Sequence, residues 1–264
     1  MKHRTEEIDE KLKAYEPTDA DIYESLANDA YLRRIYSGME LREREQRGVN
    51  EFRAWLAETG KPMPPGMTDD HNFDLRFLNL SDYNHEVAYK ELLENDKWMR
   101  EHLVPLFEEP GKYLKFANQG AIYSYRRDRN GKPIIIFNIR RMLDLNMQYD
   151  EIEILNDFVM SYVDYAGMVP GRIEQHQIII DASGVRLIEI PNLFSALYGY
   201  HINSSLHFRN TCFTNNVINL HWAITRVINA VMEYFDPFLK EKLKIRSKDY
   251  IREFREIFGE DSLE

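Results

Sequence analysis

Apolar and polar positions divide the chain into two parts with different periods. From Thr18 to Glu58, Leu26, Leu32, Ile35, Met39, Leu41, Val49, Phe52, Trp55 and Leu56 recur near helical spacing among many charges, which predicts helix. The mixed-charge run Arg42 to Arg47 reads as the solvated face of that helix. Gly60 to Gly66, with Pro62, Pro64 and Pro65, interrupts it. Thr68 to Glu108 predicts two or three further helices. Thr68, with Asp69 and Asp70, can cap the first, because short oxygen side chains satisfy free backbone N–H groups. Ser81 or Asp82 would cap the next, which carries Val87, Tyr89, Leu92, Leu93, Trp98 and Leu103.

After Pro110-Gly111 the period shortens. Ile122 to Arg127 predicts a strand, Arg129-Asn130-Gly131 a turn, and Pro133 to Ile139 a second strand, apolar on both faces and so covered on both. Two strands joined this tightly are antiparallel. Glu151 to Val169 is an amphipathic helix stopped by Pro170-Gly171, and a buried strand then runs to Asp181. A helix over Asn192 to Leu206, a strand over Arg209 to Thr214, a helix over Val217 to Met232, a short strand over Leu243 to Arg246 and a closing helix over Lys248 to Phe258 complete the pattern. Strand, helix, strand in this order implies a right-handed parallel crossover. The C-terminal half is therefore α/β with a mixed sheet.

Composition narrows the function classes. The 264 residues carry a formal net charge of -10, which disfavours nucleic acid as a partner. A single cysteine, Cys212, permits neither an internal disulfide nor a Cys-based zinc site and fits a reducing, cytoplasmic setting. The charged start, MKHRTEEIDEKLK, has no signal-peptide core, and no apolar run reaches 18 residues. Contact with a membrane would therefore be peripheral and transient.

The common catalytic signatures are missing: no GxGxxG, GxxxxGK, HExxH or GxSxG occurs. The eight histidines lack metal-ligand spacing. Asp181, at the end of an apolar strand, has two readings. It can close the Asp181-Ala182-Ser183-Gly184 turn, or serve as the acid of a hydrolase or phosphatase, since ligands gather at the carboxyl ends of parallel strands. Two segments stand out. Val217 to Met232 is apolar around most of its circumference, so it is either a central core helix or a lid over an apolar ligand. Lys240, Lys242, Lys244, Arg246 and Lys248 alternate through a strand-like stretch, as a solvated edge or a contact for phosphates.

The ordered motifs resemble the CRAL-TRIO family from about Asp69 to the end of the chain. Asp74 to Leu103 is similar to the helical module that precedes such domains, keeping Leu75, Arg76, Phe77, Leu78, Tyr89, Leu92, Trp98 and Arg100. Asp128 to Ile134 is similar to the family's D-x-x-G-R-P-V hairpin, and Ile179 to Val185 to its I-x-D-x-x-G-x strand and turn. Asn215 falls where the family has N-A-P. Phe235-Asp236-Pro237 with Lys242-Leu243 resembles the L-D-P-x-x-x-x-K-I element, and Asp249-Tyr250 to Ser262-Leu263 the closing helix.

The resemblance implies three regions: a charged helical extension (1–67), a helical module (68–110) and a CRAL-TRIO lipid-binding domain (111–264), whose mainly parallel sheet and flanking helices enclose an apolar cavity. It implies no catalysis and no cofactor other than a bound lipid. Family cargoes include phosphatidylinositol, phosphatidylcholine, sterol-like lipids, retinoids and tocopherol. Lys242 would meet a headgroup. Ser124, Ile135, His176, Ile178 and Phe213 would line the cavity. Ile218, Leu220, Trp222, Ile224, Val227, Ile228 and Val231 would belong to a gate helix over 217–232. The inositol-binding Y-P-E-R element is replaced by Ser204-Ser205-Leu206-His207, and the Ser and Thr of choline-lipid binders by His176 and Ile178. The expected activity is lipid binding with transfer or presentation between membranes. An alternative is a lipid-regulated interaction module that takes a protein partner through residues 1–60.

Overall fold

The structure is a computed structural model that describes residues 10–25, 31–63, 73–189, 206–232, 237–246 and 249–258. It has two compact units, Met1–Pro105 with Val169–Glu174, and Leu106–Met168 with Gln175–Glu264.

In the first unit, β1 (Tyr23–Ser25) pairs antiparallel with β2 (Tyr31–Arg33), and α1 (Glu43–Thr59), α2 (Phe73–Leu80) and α3 (His85–Trp98) follow. Of the helix expected over Thr18 to Glu58, the described residues are helical only at Asp19–Ile22, a single turn capped by Thr18, and at Glu43–Thr59. Side-chain chemistry overrides the weak periodicity before it. Arg33 and Glu45 are wholly buried and face each other in a forked pair, Nε to Oε1 at 2.9 Å and Nη2 to Oε2 at 2.8 Å. Glu45 Oε2 also accepts the backbone N–H of Arg42 at 3.0 Å, closing the first turn of α1. The Arg42 guanidinium lies 3.6 Å and 4.0 Å from the ring centroids of Tyr23 and Tyr31. So the Arg42–Arg47 run, expected on a solvated face, places Glu45 at the centre of a buried polar knot.

Val49, Phe52 and Leu56 form one face of α1 and share a core with Tyr36, Leu75, Phe77, Leu78, Ala88, Tyr89 and Leu92. This core spans the boundary expected between residues 67 and 68. Gly48 permits the packing, since a Cβ there would lie 2.3 Å from the Tyr83 ring. Asn84 caps α3, its side chain accepting from Val87 N at 3.1 Å. The expected caps Ser81 and Asp82 lie in the preceding turn, where Asp82 and Tyr83 have positive φ. The expected Thr68 cap lies outside the described residues.

The loop 169–174 returns from the second half of the sequence to this unit. Glu174, 4% exposed, accepts the N–H groups of Tyr36 (2.9 Å), Ser37 (2.8 Å) and Gly171 (2.9 Å), and pairs with Arg76 Nη2 at 2.7 Å. Arg76 in turn lies over the Tyr36 ring, 4.2 Å from its centroid.

The second unit is built on a five-stranded sheet in the order β3 (Ile122–Arg127), β4 (Pro133–Asn138), β5 (His176–Asp181), β6 (Cys212–Ile218) and β7 (Leu243–Ile245). The first pair is the expected antiparallel hairpin and the remaining pairs are parallel. Asp128 closes the hairpin, its Oδ1 accepting from Asn130 N at 2.9 Å and Lys132 N at 2.8 Å, with Gly131 at φ 80. Helices α4 (Gly111–Asn118), α5 (Ile139–Asp144), α6 (Tyr149–Tyr162), α7 (Trp222–Met232), α8 (Pro237–Lys242) and α9 (Tyr250–Phe258) complete the unit. The helix expected over Asn192 to Leu206 lies outside the described residues except at its last position.

Candidate functional site

Strand alternation assigns the two faces of the sheet. Ile134, Ile179 and Ile218 form a core cluster with Phe254 and Phe258 of α9, so α9 covers their face. The opposite face carries Ile135, Phe137, His176, Ile178, Ile180 and Val217, in register across β4, β5 and β6 and all buried. The parallel strands advance in one direction across the sheet, an order in which right-handed crossovers put their connecting helices on a common face. The centre of the second face is Ile135 opposite Ile178, both wholly buried.

Four of the five expected cavity residues share this face. Ser124 pairs with Ile135 and Ile135 with Ile178, while His176 begins the same strand; Ser124 is exposed. The fifth, Phe213, falls where the β5–β6 register slips between His176 and Gln177, and its ring centroid lies 4.6 Å from Lys132 Nζ.

The gate segment begins later than expected. Val217 and Ile218 are the last residues of β6, and Ile218 packs against α9 on the other face of the sheet. Asn219, at φ 56, ends the strand, Leu220 lies in the connection, and His221 Nδ1 accepts from Ala223 N at 3.2 Å to start α7. Reading Val217 to Met232 as one helix missed this break because apolar residues continue through it. Within α7, Ile224 is buried, Ile228 half-buried and Trp222 66% exposed. The side chains of Val227 and Val231 lie outside the described residues.

The basic run is likewise divided. Lys240 and Lys242 belong to α8, Lys244 to β7, and Lys248 lies outside the described residues. Lys242, 6% exposed, donates to Asn210 Oδ1 at 2.8 Å and to the Cys212 carbonyl at 2.6 Å. Arg246 donates to Asn216 Oδ1 from Nε and Nη2 and pairs with Glu253 at 2.6 Å. It ends a polar chain along the α9 face in which Gln177 donates to Asp128 and Asn216 donates to Thr214. Two residues of the basic run, Lys242 and Arg246, thus have internal partners and do not belong to one solvated edge.

Burial, with the nearby positive charge of Lys242, lowers the His176 pKa from 6.5 to about 3, so the imidazole is neutral. Burial pushes the Cys212 thiol up to about 11 against the opposing pull of Lys242. Asp181 Oδ1 accepts from Ser183 N and Asn219 Nδ2, both at 2.9 Å. Its carboxylate closes its own turn, as the first of the two sequence readings holds. Among the described residues there is no cluster of three or more His, Cys, Asp or Glu able to hold a metal ion, and no helix long and apolar enough to cross a membrane.

A mixed sheet with one buried apolar face and a closing helix packed on the other defines an α/β fold. The CRAL/TRIO domain model matches residues 117–264, and the chain belongs to that family. The family is one of lipid-binding and lipid-transfer proteins and not of enzymes. Among solved structures, the crystal structure of Sfh5 is similar, with a TM-score of 0.57 at 11% identity over 78% of this chain and 81% of that one. Comparison with curated proteins finds no match.

Proposed function

We propose that the chain carries one lipid per molecule and exchanges it at membrane surfaces. The lipid's apolar part lies over the Ile135–Ile178 floor, and α7 moves to admit it. The observation that carries this reading is the CRAL/TRIO match over residues 117–264. The apolar sheet face opposite α9 would supply the floor. Apolar contact contributes about 25 cal/mol per Å2 of surface removed from water, so an acyl chain alone provides useful affinity. The exposure of Trp222 at the start of α7 supports a bilayer contact, since an exposed indole favours the membrane–water interface. An inositol-lipid cargo has less support. The Lys242 ammonium already serves two protein acceptors, and the Tyr-Pro-Glu-Arg element is absent.

Exchange of a fluorescent lipid between donor and acceptor liposomes tests this reading. The wild type accelerates exchange, and Trp222→Ala slows it while leaving the amount of bound lipid unchanged. No acceleration by the wild type would contradict transfer. A second reading, recruitment of a protein partner through residues 1–60, is favoured by a groove of about 820 Å3 along α1, lined by Met39, Leu41, Val49, Gln46, Arg47 and Arg53. A chain that exchanges no lipid yet holds a partner in that groove would favour it.

A further inference from the structure

Among the described residues, five large hydrophobic side chains are at least half exposed, and four of them, Leu187, Ile188, Trp222 and Ile251, belong to the second unit. All four follow the carboxyl ends of neighbouring parallel strands: Leu187 and Ile188 after β5, Trp222 after β6 and Ile251 after β7. The three connections are tied together at Asn219, whose Nδ2 donates to Asp181 Oδ1 at 2.9 Å and to the Tyr250 hydroxyl at 3.4 Å. A single exposed apolar residue needs no explanation, but several gathered on one edge mark a contact surface.

The Leu187–Ile188 tip is held outward by polar bonds. It sits in a short 3-10 turn, Leu187–Glu189. Glu189 accepts the backbone N–H of Arg186 at 2.8 Å and its guanidinium at 2.6 Å, and Arg140 Nη1 of α5 reaches both carboxylate oxygens, at 3.2 Å and 3.1 Å. Within this clamp Ile188 is 82% exposed. An isoleucine fixed in water gains nothing from folding, so the turn presents it to something outside the chain. Charge identifies the partner. The acids Glu189 and Glu253 in these connections are engaged by Arg140, Arg186 and Arg246. Arg226 and Arg252 are exposed and pair with no acid among the described residues, and Arg226 lies 5.3 Å from the Trp222 ring centroid. A chain of net charge -10 is repelled by an anionic surface, so it can face one only through an edge with uncompensated arginines. Indole, aliphatic and guanidinium side chains together suit the headgroup zone of an anionic bilayer.

We infer that the carboxyl edge of the sheet is a fixed docking surface for anionic membranes, anchored by the Leu187–Ile188 tip and made selective by Arg226 and Arg252. Its purpose rests on the lipid-exchange reading, to which it adds the kind of membrane engaged. Docking through the clamped β5 connection needs no movement of α7, so attachment to the bilayer and release of cargo are separable steps.

Co-flotation of the full chain with phosphatidylcholine vesicles, with and without phosphatidylserine, tests this. The wild type binds the vesicles that contain phosphatidylserine in preference. Leu187→Ser combined with Ile188→Ser lowers partition onto them by about a factor of 100, at roughly tenfold for each inserted side chain, while native mass spectrometry shows an unchanged amount of carried lipid. Arg226→Gln combined with Arg252→Gln lowers partition roughly tenfold and removes the preference for phosphatidylserine. Brominated acyl chains in the same vesicles quench the Trp222 emission, read as the difference between wild type and Trp222→Phe. Undiminished binding by the Leu187 and Ile188 variant, equal binding of the wild type to both vesicles, or unquenched Trp222 would each overturn the docking edge and leave lipid carriage standing. A wild-type dimer that the two serine substitutions dissociate would also overturn it, because a second copy of the chain would then cover the edge. Tip-dependent vesicle binding by a chain that carries no lipid would keep the docking edge and overturn carriage.

Discussion

Glu174→Gln is expected to cost the first unit about 3–5 kcal/mol, the usual penalty for removing one partner of a buried ion pair. The carboxylate meets three backbone N–H groups and Arg76, and all these partners belong to the same unit. Glutamine keeps the shape, but it removes the charge that Arg76 faces and turns an N–H toward donors. The loss has a pH signature. Burial alone would raise the Glu174 pKa, yet the Arg76 charge and the hydrogen bonds from Ser37, Gly171 and Tyr36 together hold it below 4.5. A carboxylate with a depressed folded pKa stabilises the fold fully above its unfolded pKa. That contribution drains as pH falls below about 4.5 toward the folded value. Denaturant unfolding followed through Trp55 and Trp98 should show the wild type losing stability over that interval and Glu174→Gln losing less. A cost under about 1 kcal/mol, with an unchanged acid slope, would contradict the role given to Glu174.

Phe254→Ala is expected to cost the second unit about 3–5 kcal/mol, the range for emptying a buried aromatic site. Phe254 is 2% exposed, and its ring centroid lies 5.2 Å from that of Tyr250 and 4.8 Å from that of Phe258. It packs against Ile134, Ile179 and Ile218, on the sheet face turned away from the proposed lipid floor. The variant should therefore lose stability in thermal or denaturant unfolding, while its folded fraction holds as much lipid as the wild type. Loss of lipid in parallel with full stability would place the cargo on the α9 face instead.

These two residues mark where the sequence was informative and where it was silent. The β3–β4 hairpin was legible because Asp128 to Pro133 carries its turn chemistry in adjacent residues. The buried strand ending at Asp181 was legible because its apolar run stops at an Asp-Ala-Ser-Gly turn. Four of the five cavity positions implied by the family resemblance lie on one face, as the strand register shows. The role of Glu174 was not legible, since its partners Tyr36, Ser37 and Arg76 are about a hundred residues or more away in the chain. Nor was the buried state of Glu45, because a charged residue in a charged run looks solvated until Arg33 folds against it. The start of α7 was misplaced for a third reason. A buried strand and a helix that is apolar on most sides have the same composition, and only the positive φ of Asn219 separates them.

Native mass spectrometry of the purified chain tests the central claim most directly. One lipid bound per molecule, retained in Phe254→Ala and identified after extraction, is the result that lipid carriage predicts. A chain that remains lipid-free both as purified and after incubation with mixed vesicles would contradict it.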